Sequence, residues 1–207
     1  MNIFILTTGR SGSVSFITAC GHIANYSSSH ESRSNRIGAD HFRYPPNHIE
    51  ADNRLSWFLG PLEEEFGDEA LYVHLLRDRN ATAKSFLNRY DTGIIKAYSE
   101  DILLGSTRSL SPLHICQDYY DTVNSNITVF LKNKSNVMRV YLENIENDFP
   151  LFWKRIGAEG DFKAAMTEWS TPKNVTAPPK INGCNRALKR FRDIGKIFQR
   201  PSIIKVI

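Results

Sequence analysis

The strongest constraint on this chain sits in its first fifteen residues. Ile3-Phe4-Ile5-Leu6 is an unbroken apolar run, and Thr7-Thr8-Gly9-Arg10-Ser11-Gly12-Ser13-Val14-Ser15 follows it directly. A short apolar run without alternation reads as a strand covered on both faces, as in a parallel sheet held between helical layers. Val14, Ile17 and Cys20 then recur at helical spacing, which predicts a helix from Ser13 to about Cys20, stopped by Gly21. A strand that turns through glycines into a helix opens a βαβ unit and selects an α/β fold.

The rest of the chain repeats this alternation. Ala70 to Leu76 reads as a second buried strand and Val137 to Leu142 as a third strand. Leu55, Phe58, Leu59, Leu62 and Phe66 predict a helix kinked at Gly60-Pro61 and stopped at Gly67. Ala83, Phe86, Leu87 and Tyr90 predict another, and Cys116, Tyr120, Val123, Ile127 and Phe130 a longer one over 113–131. Phe149, Phe152, Trp153 and Ile156 mark a helix with Pro150 in its first turn and Gly157 after its end; Phe162, Ala165, Met166 and Trp169 mark one capped by Asp161. Residues 26–50, rich in Ser, His and Arg around Pro45-Pro46, read as loop with at most one short strand, and 172–183 as loop. The expectation is one domain over 1–207, a mostly parallel central sheet flanked by helices, with a basic tail from about 184 to 207. Ligands of such sheets sit beyond the carboxyl ends of the strands, here just after Leu6, Leu76 and Leu142.

Bulk properties narrow the function classes. A hydrophobic fraction of 41% in 207 residues suits a globular domain rather than a disordered chain. No apolar run approaches the roughly 20 residues of a membrane span, and the N-terminal segment lacks a signal-peptide pattern, so the expected location is the cytoplasm. Cys20, Cys116 and Cys184 are odd in number and far apart, which excludes a disulfide framework and a cysteine-only zinc site. No metal-ligand spacing stands out. The net charge of +4 favours anionic ligands in general terms.

Two segments carry the chemistry. Residues Thr7 to Ser15 form a glycine-containing strand-to-helix turn, whose backbone N–H groups can converge on a phosphate beside a helix N-terminus. Arg10 adds a permanent cation, and Ser11, Ser13 and Ser15 add hydroxyl donors. This is not the loop of ATP-binding proteins: Arg10 and Ser11 alone separate Gly9 from Gly12, and Ser13-Val14 stands where Lys-Ser/Thr would. The second segment begins with Arg77, directly after a strand. Ser85, eight residues on, projects from the following helix away from its apolar face, so both can reach one anion.

In this order, each after a buried strand, Arg10-Ser11-Gly12-Ser13 and Arg77-Asp78-Arg79-Asn80-Ala81-Thr82-Ala83-Lys84-Ser85 resemble the PAPS-dependent (P-loop) sulfotransferase family, PAPS being 3′-phosphoadenosine 5′-phosphosulfate. The resemblance covers roughly residues 1–25 and 70–92. It implies a three-layer P-loop fold and transfer of a sulfuryl group from PAPS to a hydroxyl or amine of a small-molecule or carbohydrate acceptor, releasing PAP without a metal. Gly9, Arg10, Ser11, Gly12, Ser13, Val14 and Ser15 would bind the 5′-phosphosulfate, and Arg77 with Ser85 the 3′-phosphate. Arg10 would also stabilise charge on the leaving group. The chain departs from the family at Val14, where many members have Thr, and shows no Arg-Lys-Gly element near its C-terminus; Arg186 or the Lys189-Arg190 pair could substitute. Members use Glu or His as the base that activates the acceptor. Glu31 is the first choice, then His48 with Glu50; His22, His41, His74 and His114 read as structural.

Two other readings compete. A divergent P-loop kinase or nucleotide-binding protein would place an Asp for Mg²⁺ at a strand end, where Arg77 stands instead with Asp78 one place late. A basic nucleic-acid-binding module would interleave aromatics with Lys and Arg on one surface, whereas Phe149, Phe152, Trp153 and Trp169 fall at core spacing. The acceptor's identity and the oligomeric state are not legible in the motifs.

Overall fold

The computed structural model describes residues 1–105 and 110–170. The loop expected over 172–183, the basic tail, Arg186, Lys189-Arg190 and Cys184 lie outside the described residues. Five strands form one all-parallel sheet in the order β2-β3-β1-β4-β5: β1 Ile3–Leu6, β2 Ser27–His30, β3 His48–Ala51, β4 Leu71–Leu76 and β5 Val137–Tyr141. The helices are α1 Ser13–Cys20, α2 Leu59–Phe66, α3 Arg79–Leu87, α4 Gly93–Ala97, α5 Pro112–Leu131, α6 Ile145–Arg155 and α7 Phe162–Thr167.

β1 is central, and all four of its side chains are fully buried, as its unbroken apolar run requires. Ile3 and Ile5 face a layer built by α1, α6 and α7, where Phe16 packs edge-on against Phe152 at 4.9 Å and Phe149 at 5.4 Å. Phe4 and Leu6 face the opposite layer, where Leu62 of α2, Phe86 of α3 and Tyr119 of α5 are buried. Alternate residues of one strand thus anchor the two helical layers of a three-layer α/β domain.

Several details differ from the sequence expectation. Residues 26–50 contain two strands, not a loop with at most one. β2 is Ser-Ser-Ser-His and carries no apolar residue, while β3 buries His48 and Glu50. A bonded chain makes that burial tolerable: Ser27 Oγ meets His48 Nδ1 at 2.8 Å, His48 Nε2 meets Glu50 Oε2 at 3.1 Å, and Ser32 donates to Glu50 from its N–H at 2.9 Å and its hydroxyl at 2.5 Å. There is no kink at Gly60-Pro61. A 3₁₀ turn, Asn53–Trp57, ends before α2, and Pro61 lies in the first turn of that helix, which stops at Gly67 as expected. α6 begins at Ile145, so Pro150 lies inside it rather than in its first turn. On α5 the core-facing tyrosine is Tyr119, not Tyr120. Tyr90 lies beyond the end of α3.

The exposed edge of β5 is capped from α6. Asp148 accepts from the Tyr141 N–H at 2.7 Å, and Arg155 donates to the Val137 carbonyl at 2.8 Å. Two side chains of one helix thereby occupy backbone groups that would otherwise template another strand.

Candidate functional site

Because every strand is parallel, all five carboxyl ends face one way, and the segments after Leu6, His30, Ala51, Leu76 and Tyr141 meet there. After β1 the chain turns through three residues of positive φ: Gly9 at 81°, Arg10 at 59° and Gly12 at 89°. Side chains from behind hold the turn. Ser56 Oγ donates to the Thr7 carbonyl at 3.1 Å and Tyr119 Oη to the Thr8 carbonyl at 2.9 Å, while buried Ser11 hydrogen-bonds Thr7 through their hydroxyls. Asn53 packs against Gly9, and Leu142 lies over Gly12. Gly12 is the N-cap of α1; no side chain caps that helix, and its first turn holds no acidic residue. Ser13, Val14 and Ser15 form this first turn, with Ser13 and Val14 half-buried and Ser15 turned inward. The result is a cradle of amide N–H groups at a positive helix end.

The second segment joins the first directly. Arg10 Nε donates to Ser85 Oγ at 2.9 Å, and Arg77 Nη1 donates to the Arg10 carbonyl at 2.9 Å. Arg10 thereby bridges the glycine loop and α3. Burial, then the charges of Arg89 and Arg77, hold the Arg10 pKa below its ordinary value. Three guanidiniums therefore act on one half-buried region. Tyr120 Oη donates to the Arg77 carbonyl at 2.8 Å and so fixes the backbone beneath it. Asp78 is occupied locally, its Oδ1 accepting from the Ala81 N–H at 2.7 Å as the N-cap of α3. The third strand end arrives as expected: Glu143 accepts from the Asp78 N–H at 2.9 Å.

On the other side of the loop, His30 ends β2 and its Nε2 lies 3.1 Å from Ser13 Oγ. Glu31 follows with a φ of 53°. Its carboxylate pairs with Arg54 at 3.0 Å, and Arg54 also reaches Asp52 Oδ1 at 3.3 Å. Burial opposes the charge of Arg54, but Glu31 and Asp52 outweigh it and raise its pKa. Asp52 is buried beyond the end of β3, and burial pushes its carboxyl up despite the bonds from Arg54.

His48 does not join this group. It begins β3, in register with Ser27, and its N–H donates to Asn2 Oδ1 at 3.2 Å, so it sits at the amino end of the sheet. Three residues of strand, about 10 Å, separate it from the carboxyl end. Its ring is buried with both nitrogens bonded, and Glu50 belongs to the same internal chain. Neither has the placement a base beside the loop would need. His74 bonds Asn124 at 2.8 Å inside β4, a structural role as expected.

Sequence reasoning missed four contributors: His30, Arg54, Asp52 and Arg89. The signal for Arg89 was its place four residues after Ser85, just past the end of α3. His30 offered none, because its proximity to Ser13 depends on β2 being a strand. Among the described residues no cluster of His, Cys, Asp and Glu is arranged to hold a metal, and no helix is long and apolar enough to cross a membrane.

No family model and no curated protein matches this sequence. Solved structures do. A sulfotransferase domain from the curacin biosynthetic pathway aligns over 98% of this chain and 93% of its own, with a TM-score of 0.54 and 14% identity. Mouse sulfotransferase SULT7A1, solved with PAP, aligns over 93% of this chain and 82% of its own, with a TM-score of 0.52 and 14% identity. The chain has the fold of the sulfotransferases.

Proposed function

We propose that this protein is a sulfotransferase that uses PAPS, moving its sulfuryl group to a hydroxyl or amine of a small-molecule or carbohydrate acceptor and releasing PAP. The observation that carries the reading is the continuous Arg77–Arg10–Ser85 assembly beside an uncapped helix N-terminus. Arg10 and Arg77 bring guanidinium donors and Ser85 a hydroxyl to one place, and a nucleotide with phosphate groups at both ends matches such an extended cationic site. That SULT7A1 was solved with PAP adds support at the level of the fold.

The residues divide the work by place. The loop amides and Arg10 receive the negative charge that grows on the leaving group as the sulfur–oxygen bond breaks, the kind of preorganised stabilisation that serves group transfer. Arg77 and Ser85 hold the nucleotide's 3′ end, with bidentate charge from one and a hydroxyl from the other. His30 orients the Ser13 hydroxyl at the start of α1. Glu31, half-exposed at the end of β2 and steadied by Arg54, takes the proton from the acceptor. His48 is not assigned a role in the reaction.

The kinase reading loses support because Asp78, the carboxylate the sequence offered it, caps α3. The nucleic-acid reading fares no better, since Phe149 and Phe152 are fully buried. Thermal unfolding with PAP, with ATP plus Mg²⁺ and with an oligonucleotide discriminates among the three. A ligand at 100 times its Kd adds about 2.7 kcal/mol of stability, and the expected order is PAP first. Preference for ATP with Mg²⁺ would overturn the proposal. Transfer of labelled sulfate from PAPS to a panel of alcohols, phenols and amines then identifies the acceptor.

A further inference from the structure

The resemblance to sulfotransferases does not extend to an Arg-Lys-Gly element near the C-terminus. The fold supplies another cation nearby. Asn88 keeps right-handed helical geometry after α3, its N–H reaching the Lys84 carbonyl at 3.4 Å, and the Arg89 N–H reaches the Phe86 carbonyl at 2.8 Å. The Arg89 bond reaches back three residues rather than four, so Arg89 lies in the tight turn that ends α3, about one turn of chain beyond Ser85. Ser85 accepts from Arg10, and the Arg10 carbonyl accepts from Arg77. Arg89 is half-buried and shares this neighbourhood.

We infer that Arg89 is a third guanidinium of the nucleotide site and acts on the 3′-phosphate. This rests on the donor-site reading above and extends it to a residue outside both motifs. Three observations agree. Arg89 follows by about one turn of chain after Ser85, the residue that meets the loop through Arg10. Arg89 heads the charges that depress Arg10, ahead of Arg77, which fits a position inside the cationic cluster. α3 also starts at Arg79, immediately after the β4 end that carries Arg77, so Arg77, Ser85 and Arg89 belong to one strand–helix unit, apart from the amides of the first loop. A phosphate held by that unit is the one far from the sulfuryl group.

The test compares PAP with 5′-AMP, which lacks the 3′-phosphate, by calorimetry on the full chain. Arg89→Ala should weaken PAP tenfold or more, the scale of one lost charge-assisted contact, and change 5′-AMP by less than twofold. Arg89→Lys, which keeps the charge without the fork, should fall between. Circular dichroism and unfolding of Arg89→Gln establish that the fold persists; a misfolded Ala variant is replaced by Gln in the same comparison. Equal losses for PAP and 5′-AMP, or no loss for either, would overturn the role of Arg89. Wild-type protein that fails to prefer PAP over 5′-AMP would instead overturn the donor-site reading, and this inference with it.

Discussion

Arg10 and Ser85 are 75 positions apart in the chain, yet Arg10 Nε donates to Ser85 Oγ across 2.9 Å. The bond ties the glycine loop after β1 to the helix after β4 and brings the two short motifs to one place. β1 and β4 are paired neighbours in register, Leu6 opposite His74, so the segments leaving their carboxyl ends are obliged to meet.

The role of Arg77 follows from this geometry. Arg77→Ala should weaken PAP tenfold to a hundredfold, as loss of a bidentate cation does, and weaken 5′-AMP much less. Ser85→Ala removes one neutral hydroxyl and should cost only a few-fold. Calorimetric titration of both variants with both nucleotides reads the difference; equal losses for PAP and 5′-AMP would remove Arg77 from the 3′ end.

Gly12 is required by its backbone. Its φ of 89° lies where a side chain is strained, and an added Cβ would come 2.8 Å from Leu142. Gly12→Ala should cost about 1–2 kcal/mol of stability, measured by urea unfolding, and should reduce PAP affinity because the loop amides must shift. Unchanged stability would mean that the turn relaxes freely.

Glu31 and His48 separate reaction from structure. Glu31→Gln should lower labelled-sulfate transfer at least tenfold while PAP affinity stays within twofold. His48→Ala should leave PAP affinity intact but cost about 2–4 kcal/mol of stability, because it opens a cavity and removes a donor from the buried Glu50 carboxylate. A Glu31→Gln variant with full turnover would move the base elsewhere at the carboxyl end of the sheet.

Asp52 makes stability depend on pH. Burial holds its carboxyl above the ordinary value, so the folded chain binds this proton more tightly than the unfolded chain. Such a group costs stability in full above its folded pKa; the cost shrinks as pH falls below that value and is gone below the unfolded pKa. Asp52→Asn should therefore match or exceed the wild-type urea midpoint at neutral pH, and the gap should close as pH is lowered through the carboxylate range. A variant clearly less stable at neutral pH would show that the ion pair with Arg54 outweighs the burial.

Much of this was legible from residue order. The apolar run of β1, the glycines after it and the spacing of α1 led directly to strand, turn and helix, because hydropathy period and backbone freedom are local properties. The spacing of Arg77 and Ser85 likewise follows from a strand end and the helix behind it. The tertiary structure decided what local properties do not encode. β2 was hidden because it carries no apolar residue, and β3 because its buried His48 and Glu50 are satisfied by Ser27 and Ser32, while hydropathy counts the cost of burying a group but not the bond that offsets it. Parallel register, not composition, put His48 at the amino end and His30 and Glu31 beside the loop. Arg10 could be read as a cation from the sequence; that its Nε reaches Ser85 became fixed once β4 paired with β1.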